Sequence, residues 1–401
     1  MILHPPRHNL YRYMFPLYSL RVGFIRLDFA QPMYVDWIRL WESVPGRGKP
    51  LLKTLHLKNF TAFGESRLRF SPGLNVIIGE NGLGKTHLLK LPYAAMAAST
   101  ELGQNSLHSQ PSKTLLQPRM AQKLVDVFRA ESLGRMARRQ QGRNRCEVRV
   151  GFDDSRWNMS FSFATNSKSE VVFERVPSKW IDKAPVFLPT RELLTIYPGF
   201  VSLYESRHLE FEETWRDTCA LLGAPALRGP TARKIAWVLK PIEDEMGGQI
   251  VLDKNGRFYL KGLGIGSMEM SLVAEGHRKL AMLARLIATG SLLDKGCLFW
   301  DEPESNLNPK LIREISRTIL HICRNGVQVI IATHSLFLLR ELEMLLRKEE
   351  FKGIGQRYFA IGKSEEGVVL EQDEIIDGIK PLTVLDEELL QSDRFLEESS
   401  A

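Results

Sequence analysis

Gly79-Glu80-Asn81-Gly82-Leu83-Gly84-Lys85-Thr86 joins the largely apolar run Leu74 to Ile78 to a stretch, His87 to Leu91, that reads as the start of a helix. A strand, a glycine-rich turn and a helix opening with Lys-Thr form a phosphate cradle. Successive backbone N–H groups point into one concavity, and the helix N-terminus adds positive potential. The spacing is G-x4-G-K-[ST], the P-loop. An ordinary glycine-rich surface turn has no need of Lys-Thr after its last glycine. Lys85 is therefore expected to neutralise β- and γ-phosphate charge and Thr86 to face a metal ion.

A nucleoside triphosphate arrives with Mg²⁺ and needs a water held in line with its γ-phosphate, which calls for a second, carboxylate-bearing strand. Gly296-Cys297-Leu298-Phe299-Trp300-Asp301-Glu302 supplies it. Its apolar run suits a strand buried on both faces of a parallel sheet, and Asp301 falls at the C-terminal end, where such sheets place ligands. Asp301 is expected in the Mg²⁺ shell, and Glu302 to orient or deprotonate the attacking water. Pro303-Glu304-Ser305-Asn306-Leu307-Asn308-Pro309 follows. Further on, Val329-Ile330-Ile331-Ala332-Thr333-His334-Ser335 is another apolar strand ending in a polar triplet, and a histidine so placed reaches the γ-phosphate.

D-E-P-E-x-N-L-x-P followed by a strand ending in T-H-S resembles the ABC-type ATPases, in the branch that holds RecF, SMC heads and OLD-like proteins. The resemblance covers about residues 51–345. It implies an α/β P-loop NTPase: an ABC-type ATPase head with a mixed-sheet core, an antiparallel β-lobe and a helical signature lobe. It makes Asp301 and Glu302 the Walker B pair, Ser305 to Pro309 the D-loop and His334 the switch histidine. It implies ATP and Mg²⁺ as cofactors. The family's signature motif should open a helix upstream, where Ser271-Leu272-Val273-Ala274-Glu275-Gly276-His277-Arg278-Lys279-Leu280 stands. Gly276 matches the motif's second glycine and would meet the γ-phosphate held by a partner subunit. Ala274 replaces the motif's serine and His277 its glutamine. Read without the family, Ala-Glu-Gly is simply a helix start.

Leu55 to Lys58 alternates apolar and polar residues as a strand does, and Asn59-Phe60-Thr61-Ala62-Phe63 resembles the N-F-x-x-F opening of RecF and SMC heads, which argues against a transporter subunit. For both phenylalanines burial is the simpler role. The family's Q-loop position follows the strand Ala184 to Leu188. No glutamine stands there, so Thr190, Arg191 and Glu192 are the candidates for its part.

The chain has 401 residues, 44% of them hydrophobic, enough for a large core. Residues 1–50 carry no motif and read as an extension of unknown role. The ATPase lobe is expected over 51–190 and again over 291–345, a helical lobe with a hairpin and the signature helix over 191–290, and a C-terminal segment over 346–401. Ser99 to Gln117 reads as a loop, Pro118 to Arg139 as a helix, and Cys146 to Phe152, Met159 to Ala164 and Val171 to Val176 as strands of the β-lobe. Gln249 to Leu252 and Arg257 to Leu260 read as a hairpin about Asp253-Lys254-Asn255-Gly256. No heptads fill the span between Lys85 and Asp301, which excludes long coiled-coil arms, and the 67 residues after His334 are too few for a TOPRIM domain. No nuclease activity is therefore expected from this chain.

Cys146, Cys219, Cys297 and Cys323 are scattered without a C-x-x-C pair, so neither a zinc hook nor a disulfide framework is indicated, and a reduced cytoplasm is the natural compartment. No uncharged apolar run approaches the ~20 residues of a spanning helix, so no membrane partner is expected. Formal charge is +7, and residues 101–150 hold ten Lys/Arg against four Asp/Glu. Arg135, Arg138, Arg139, Arg143 and Arg145 are either a DNA phosphate contact or a solvated basic face. The acidic tail from Asp386 to Glu398 surrounds Leu385, Leu389, Leu390, Phe395 and Leu396, a face for a partner protein or for the chain's own sheet. The resemblance implies a head-to-head homodimer or higher even oligomer with a role in DNA repair or anti-phage defence, and a separately encoded nuclease or toxin as partner. The alternative is a RecF-like protein in which ATP controls duplex DNA binding.

Overall fold

In the computed structural model the described residues are 48–105, 109–138, 144–207, 209–262, 264, 266–293, 296–364, 367–379 and 383–399. At their centre is β3 (Leu74–Gly79), with all six residues buried because apolar side chains leave it on both faces. It pairs in parallel with β12 (Gln328–Thr333) on one side and β13 (Gln356–Ser364) on the other. β11 (Cys297–Asp301) pairs in parallel with β12, and β7 (Val186–Leu188) with β11. The antiparallel edge strand β14 (Gly367–Asp373) completes a six-stranded sheet of order β14-β13-β3-β12-β11-β7. Continuous apolar runs are what a sheet covered on both faces requires.

Alternate side chains of these strands divide between two cores. Leu74, Val76 and Ile78, with Trp300, Val329 and Ile331, join the cluster under α6 (Glu275–Ala288), α7 (Pro309–Arg324) and α8 (Leu336–Leu346). Ile77, Phe299, Ile330 and Phe359 point the other way, into a cluster with α1 (Lys85–Asn105), α2 (Lys113–Phe128) and the β-lobe. That lobe is a five-stranded antiparallel sheet of order β2-β1-β4-β5-β6, from β1 (Leu52–Phe60), β2 (Phe63–Arg69), β4 (Arg145–Phe152), β5 (Met159–Ala164) and β6 (Val172–Arg175). β1, β4, β5 and β6 overlap the runs that read as strands in the sequence, and β2 is a fifth strand beside β1. The expected helical region holds α3 (Tyr197–Arg207), α4 (Glu213–Leu222) and α5 (Gly229–Met246), and α9 (Thr383–Ser399) is helical as the tail's pattern implies.

Two expectations need correction. The loop assigned to Ser99–Gln117 is mostly helix: α1 runs on to Asn105 and α2 starts at Lys113. The polar residues there are satisfied internally, Thr100 Oγ1 donating to Met96 O at 3.0 Å and Ser99 Oγ accepting from Ile181 N at 3.2 Å. The helix expected over Pro118–Arg139 instead ends at Phe128, where Arg129 takes a left-handed cap at φ 53°. The hairpin of β8 (Gly248–Leu252) and β9 (Phe258–Gly262) gains a third strand, β10 (Gly266–Glu269). The 346–401 segment also carries β13 and β14, so it builds part of the central sheet.

A charged network joins α1, α2 and α4. Lys123 on α2 has a fully buried side chain whose Nζ lies 2.7 Å from Glu101 Oε1, 3.2 Å from Glu213 Oε2 and 2.9 Å from Asp217 Oδ2. Tyr93 of α1 donates to Asp217 at 2.6 Å, Lys90 pairs with Glu212, and Arg119 joins Glu101 and Glu213. Burial favours loss of the Lys123 proton, but the three carboxylates outweigh it and raise its pKa. Those carboxylates lie close enough together to suggest a cation site, and the Lys123 ammonium already fills it. Removing one partner of a buried ion cluster leaves charges uncompensated, at about 3–5 kcal/mol. Lys123→Met should lower the urea-unfolding free energy by about that amount; a loss within measurement error would mean that apolar packing alone joins these helices.

Candidate functional site

The in-register pairing of Ile78 with Thr333 and of Ala332 with Asp301 brings the C-terminal ends of β3, β12 and β11 to one edge. The loop Gly79–Thr86 leaves β3 there and enters α1 at Lys85. Gly82 and Gly84 adopt φ of 81° and 92°, a region open to glycine at little cost. A Cβ on Gly84 would also stand 2.9 Å from the Phe63 ring, and one on Gly79 2.6 Å from Ile361 O. Leu83 is buried and pins the loop, while Glu80 and Asn81 are exposed. Lys85 is 6% exposed, and its Nζ curls back to Gly79 O at 2.7 Å, Glu80 O at 3.0 Å and Asn81 Oδ1 at 3.5 Å. Burial lowers its pKa, opposed by the charges of Glu302, Asp301, Glu304 and Glu80.

Thr86 Oγ1 donates to Asp301 Oδ2 at 2.8 Å, and Thr190 Oγ1 reaches the same oxygen at 3.5 Å. Asp301 Oδ1 is buried with no hydrogen-bond partner. Burial pushes the Asp301 pKa up to about 6, against the Thr86 hydrogen bond and with help from the charge of Glu302. An orphaned carboxylate oxygen beside a hydroxyl is the hard-oxygen donor set that Mg²⁺ prefers, so Thr86 and Asp301 fit the metal expected of them.

Glu302 turns the chain out of β11 in a left-handed conformation, φ 44°. Non-glycine residues held there cost about 1–3 kcal/mol and cluster at functional sites. Its carboxylate lies 3.2 Å from His334 Nδ1, at the end of β12. Two further residues belong to this edge and were not singled out from the sequence. Glu304 is 6% exposed and accepts from Thr333 Oγ1 at 2.6 Å and from the His334 N–H at 3.3 Å; burial raises its pKa and its Oε2 has no partner. Lys279, 2% exposed, donates from Nζ to Glu302 O at 2.8 Å. The acidic run around Glu304 and the basic pair Arg278-Lys279 were the available signals, but sequence spacing does not say that they meet.

Gly276 lies in the first turn of α6 against the turn that follows β11. A Cβ there would be 2.9 Å from Leu311 Cδ1 and 3.3 Å from Asn306 O. Ala274 is the N-cap residue and, having no hydroxyl, makes no side-chain cap. Of the three candidates after β7, Thr190 meets Asp301. Glu192 is buried, accepts from Leu194 N at 2.8 Å and pairs with Arg278 at 2.9 Å, while Arg191 is exposed. Phe60 and Phe63 are fully buried, Phe63 beneath Gly84. Among the basic candidates, Arg139 and Arg143 lie outside the described residues. Arg135 pairs with Glu131 at 2.6 Å, Arg145 donates to Ser162 Oγ at 2.8 Å, and the Arg138 guanidinium is wedged between Gly64 and Gly367. A cavity of about 680 Å³ lined by Ser71, Arg347, Arg357 and Tyr358 holds none of the site residues and lies toward the other end of β3 and β13.

A family model described as "AAA domain, putative AbiEii toxin, Type IV TA system" matches residues 164–340, and one described as "AAA domain" matches residues 54–114. A stretch of 42 residues is 50% identical to the DNA replication and repair protein RecF of Streptococcus uberis, spanning 10% of this chain and 12% of that protein. Among solved structures, the SMC head domain from Thermotoga maritima aligns over 81% of this chain and 100% of its own, at 13% identity and a TM-score of 0.44. An Smc head with an extended coiled coil, bound to the C-terminal domain of ScpA derived from Pyrococcus furiosus, aligns over 88% of this chain and 100% of its own, at 11% identity and a TM-score of 0.47. With the P-loop geometry, the two family-model matches make this chain similar to AAA-domain proteins. No helix among the described residues is long and apolar enough to cross a membrane.

Asp301 sets a pH dependence. A carboxyl whose folded pKa is raised from 3.8 to about 6 contributes stability below about pH 4 that is lost as pH rises through about 6. Asp301→Asn should therefore stabilise the nucleotide-free protein by about 1–3 kcal/mol at pH 8 and by much less at pH 4.5. Urea unfolding at both pH values checks this, and equal gains would mean that the aspartate charge is not what is disfavoured.

Proposed function

We propose that this chain is a Mg-dependent ATPase whose two heads close face to face on ATP and thereby switch a partner in DNA repair or anti-phage defence. The observation that carries the reading is the convergence on one sheet edge of the Lys85 cradle, the Thr86–Asp301 hydrogen bond and the Glu302–His334 pair. Lys85 leaves the carbonyls of Gly79 and Glu80 when phosphate oxygens replace them, and the loop N–H groups with the α1 N-terminus take the remaining charge. Bound Mg²⁺, held by Thr86 and Asp301, supplies further charge neutralisation. Glu302 takes a proton from the attacking water, and His334, in contact with its carboxylate, orients it and senses the γ-phosphate. Gly276 and the α6 N-terminus present amides to the nucleotide of the opposite subunit. A homodimer with two composite sites follows, and its closure shifts the population of a bound partner's states. A separately encoded nuclease or toxin fits that output.

The RecF match favours a second reading in which ATP governs duplex DNA binding. Duplex DNA that raises the ATPase rate, with the gain lost in Arg138→Glu, supports this second reading; an unchanged rate supports the protein-partner reading.

Lys85→Ala should weaken ATP binding at least about tenfold, since it removes a charge-assisted phosphate contact. Glu302→Gln should keep binding while kcat falls about 10²- to 10⁴-fold, and the ATP-bound dimer should accumulate by light scattering. Parental turnover in both variants would refute the ATPase assignment.

A further inference from the structure

Lys279 is a buried cation that the phosphate chemistry above does not employ. Besides Glu302 O, its Nζ donates to Ser305 O at 3.2 Å and to Ser305 Oγ at 2.9 Å, three acceptors on one turn, two of them backbone carbonyls. Burial pulls its pKa down to about 8, opposed by the charges of Glu304, Glu302, Asp301 and Glu275. Lysine is almost never fully buried without partners, because desolvating the ammonium is costly. Here its partners are mainly carbonyl oxygens of the catalytic turn.

The turn needs such a partner. Glu302 is strained at φ 44°, and its two backbone groups are captured by different elements: its N–H donates to Ala332 O of β12 at 2.9 Å, and its C=O accepts from Lys279 of α6. One side of the strained peptide is therefore fixed to the central sheet and the other to the signature helix. Neighbouring contacts tie the same helix to the same turn. Asn306 Nδ2 donates to Glu275 Oε1 at 2.9 Å, Gly276 packs on Asn306 O, and Arg278 pairs with Glu192 beyond β7.

We propose that Lys279 is a positioning residue that couples the signature helix to the catalytic turn within one subunit. Displacement of α6 when its N-terminus engages the partner's nucleotide moves the carbonyl of Glu302 through Lys279 and re-aims the Glu302 carboxylate relative to His334. Hydrolysis at each site thereby depends on engagement of the signature helix beside it. This inference rests on the ATPase reading above.

The test uses the full chain carrying Lys279→Met, Ser305→Ala or both, with steady-state ATPase assays and titration of a fluorescent ATP analogue. Lys279→Met should bind the analogue within about threefold of the parent and keep its KM, while kcat falls about 10- to 100-fold, the pattern of an interaction used in the chemical step and not in binding. Ser305→Ala should lower kcat by about two- to fivefold, and the double variant should match Lys279→Met, since contacting residues are not additive. Parental kcat in Lys279→Met, or a loss confined to KM, would overturn the proposal. If Lys279→Met has no cooperative thermal transition, Ser305→Ala decides, because it keeps Lys279 and both its carbonyl acceptors and removes only the Ser305 hydroxyl: unchanged kcat overturns the coupling, and a lower kcat at constant KM supports it. A parent that neither binds nor hydrolyses ATP would overturn the ATPase reading itself, an outcome distinct from a working parent with an indifferent Lys279.

Discussion

Parallel strand register is the constraint on which the site depends. β3, β12 and β11 are each a short apolar strand that must bury both faces, and their pairing in step, Ile78 beside Thr333 and Ala332 beside Asp301, leaves one polar edge where three chain segments emerge together. A slip of one residue in any of them would send its buried set to the wrong core and part the Thr86 hydroxyl from the Asp301 carboxylate. The two clusters on opposite faces of the sheet enforce the register by volume, since Ile77 and Ile78 belong to different cores.

On that edge, electrostatics and backbone geometry are poised against each other. Lys85 is held by the carbonyls of Gly79 and Glu80. Asp301 is buried with one oxygen unpartnered, and Glu302 is held in a conformation that its own side chain does not favour. These are costs in the free protein that, under the proposed function, a Mg–nucleotide complex would offset. The rest of the molecule offsets them, through large apolar clusters and through the ion network around Lys123 that fastens the P-loop helix α1 to α2 and α4.

Legibility in the sequence followed chemical specificity. The P-loop was readable because only glycine accepts φ near 81–92° at two positions while Lys-Thr opens a helix. The acid pair was readable because four apolar residues before Asp301 announce a buried strand end. Where local polarity was used as the signal, it misled. Ser99 and Thr100 sit inside α1 because their hydroxyls find backbone partners, and Ser/Gln content by itself does not reveal that. The strands β13 and β14 carry a weak period and went unmarked, yet β13 is the neighbour that encloses β3 on its second side.

The sequence by itself determined the glycine-rich turn after β3, the acidic strand end and the histidine after β12, because each is a local pattern written in adjacent residues. Only the tertiary structure decided that Glu304 lies under Thr333 and His334, that Glu192 answers Arg278, and that the Lys279 ammonium closes on the carbonyl of Glu302. Those partners are separated by 23 or more residues along the chain. Their meeting depends on how two helices and three strands pack, a property of summed burial and shape that no single segment carries.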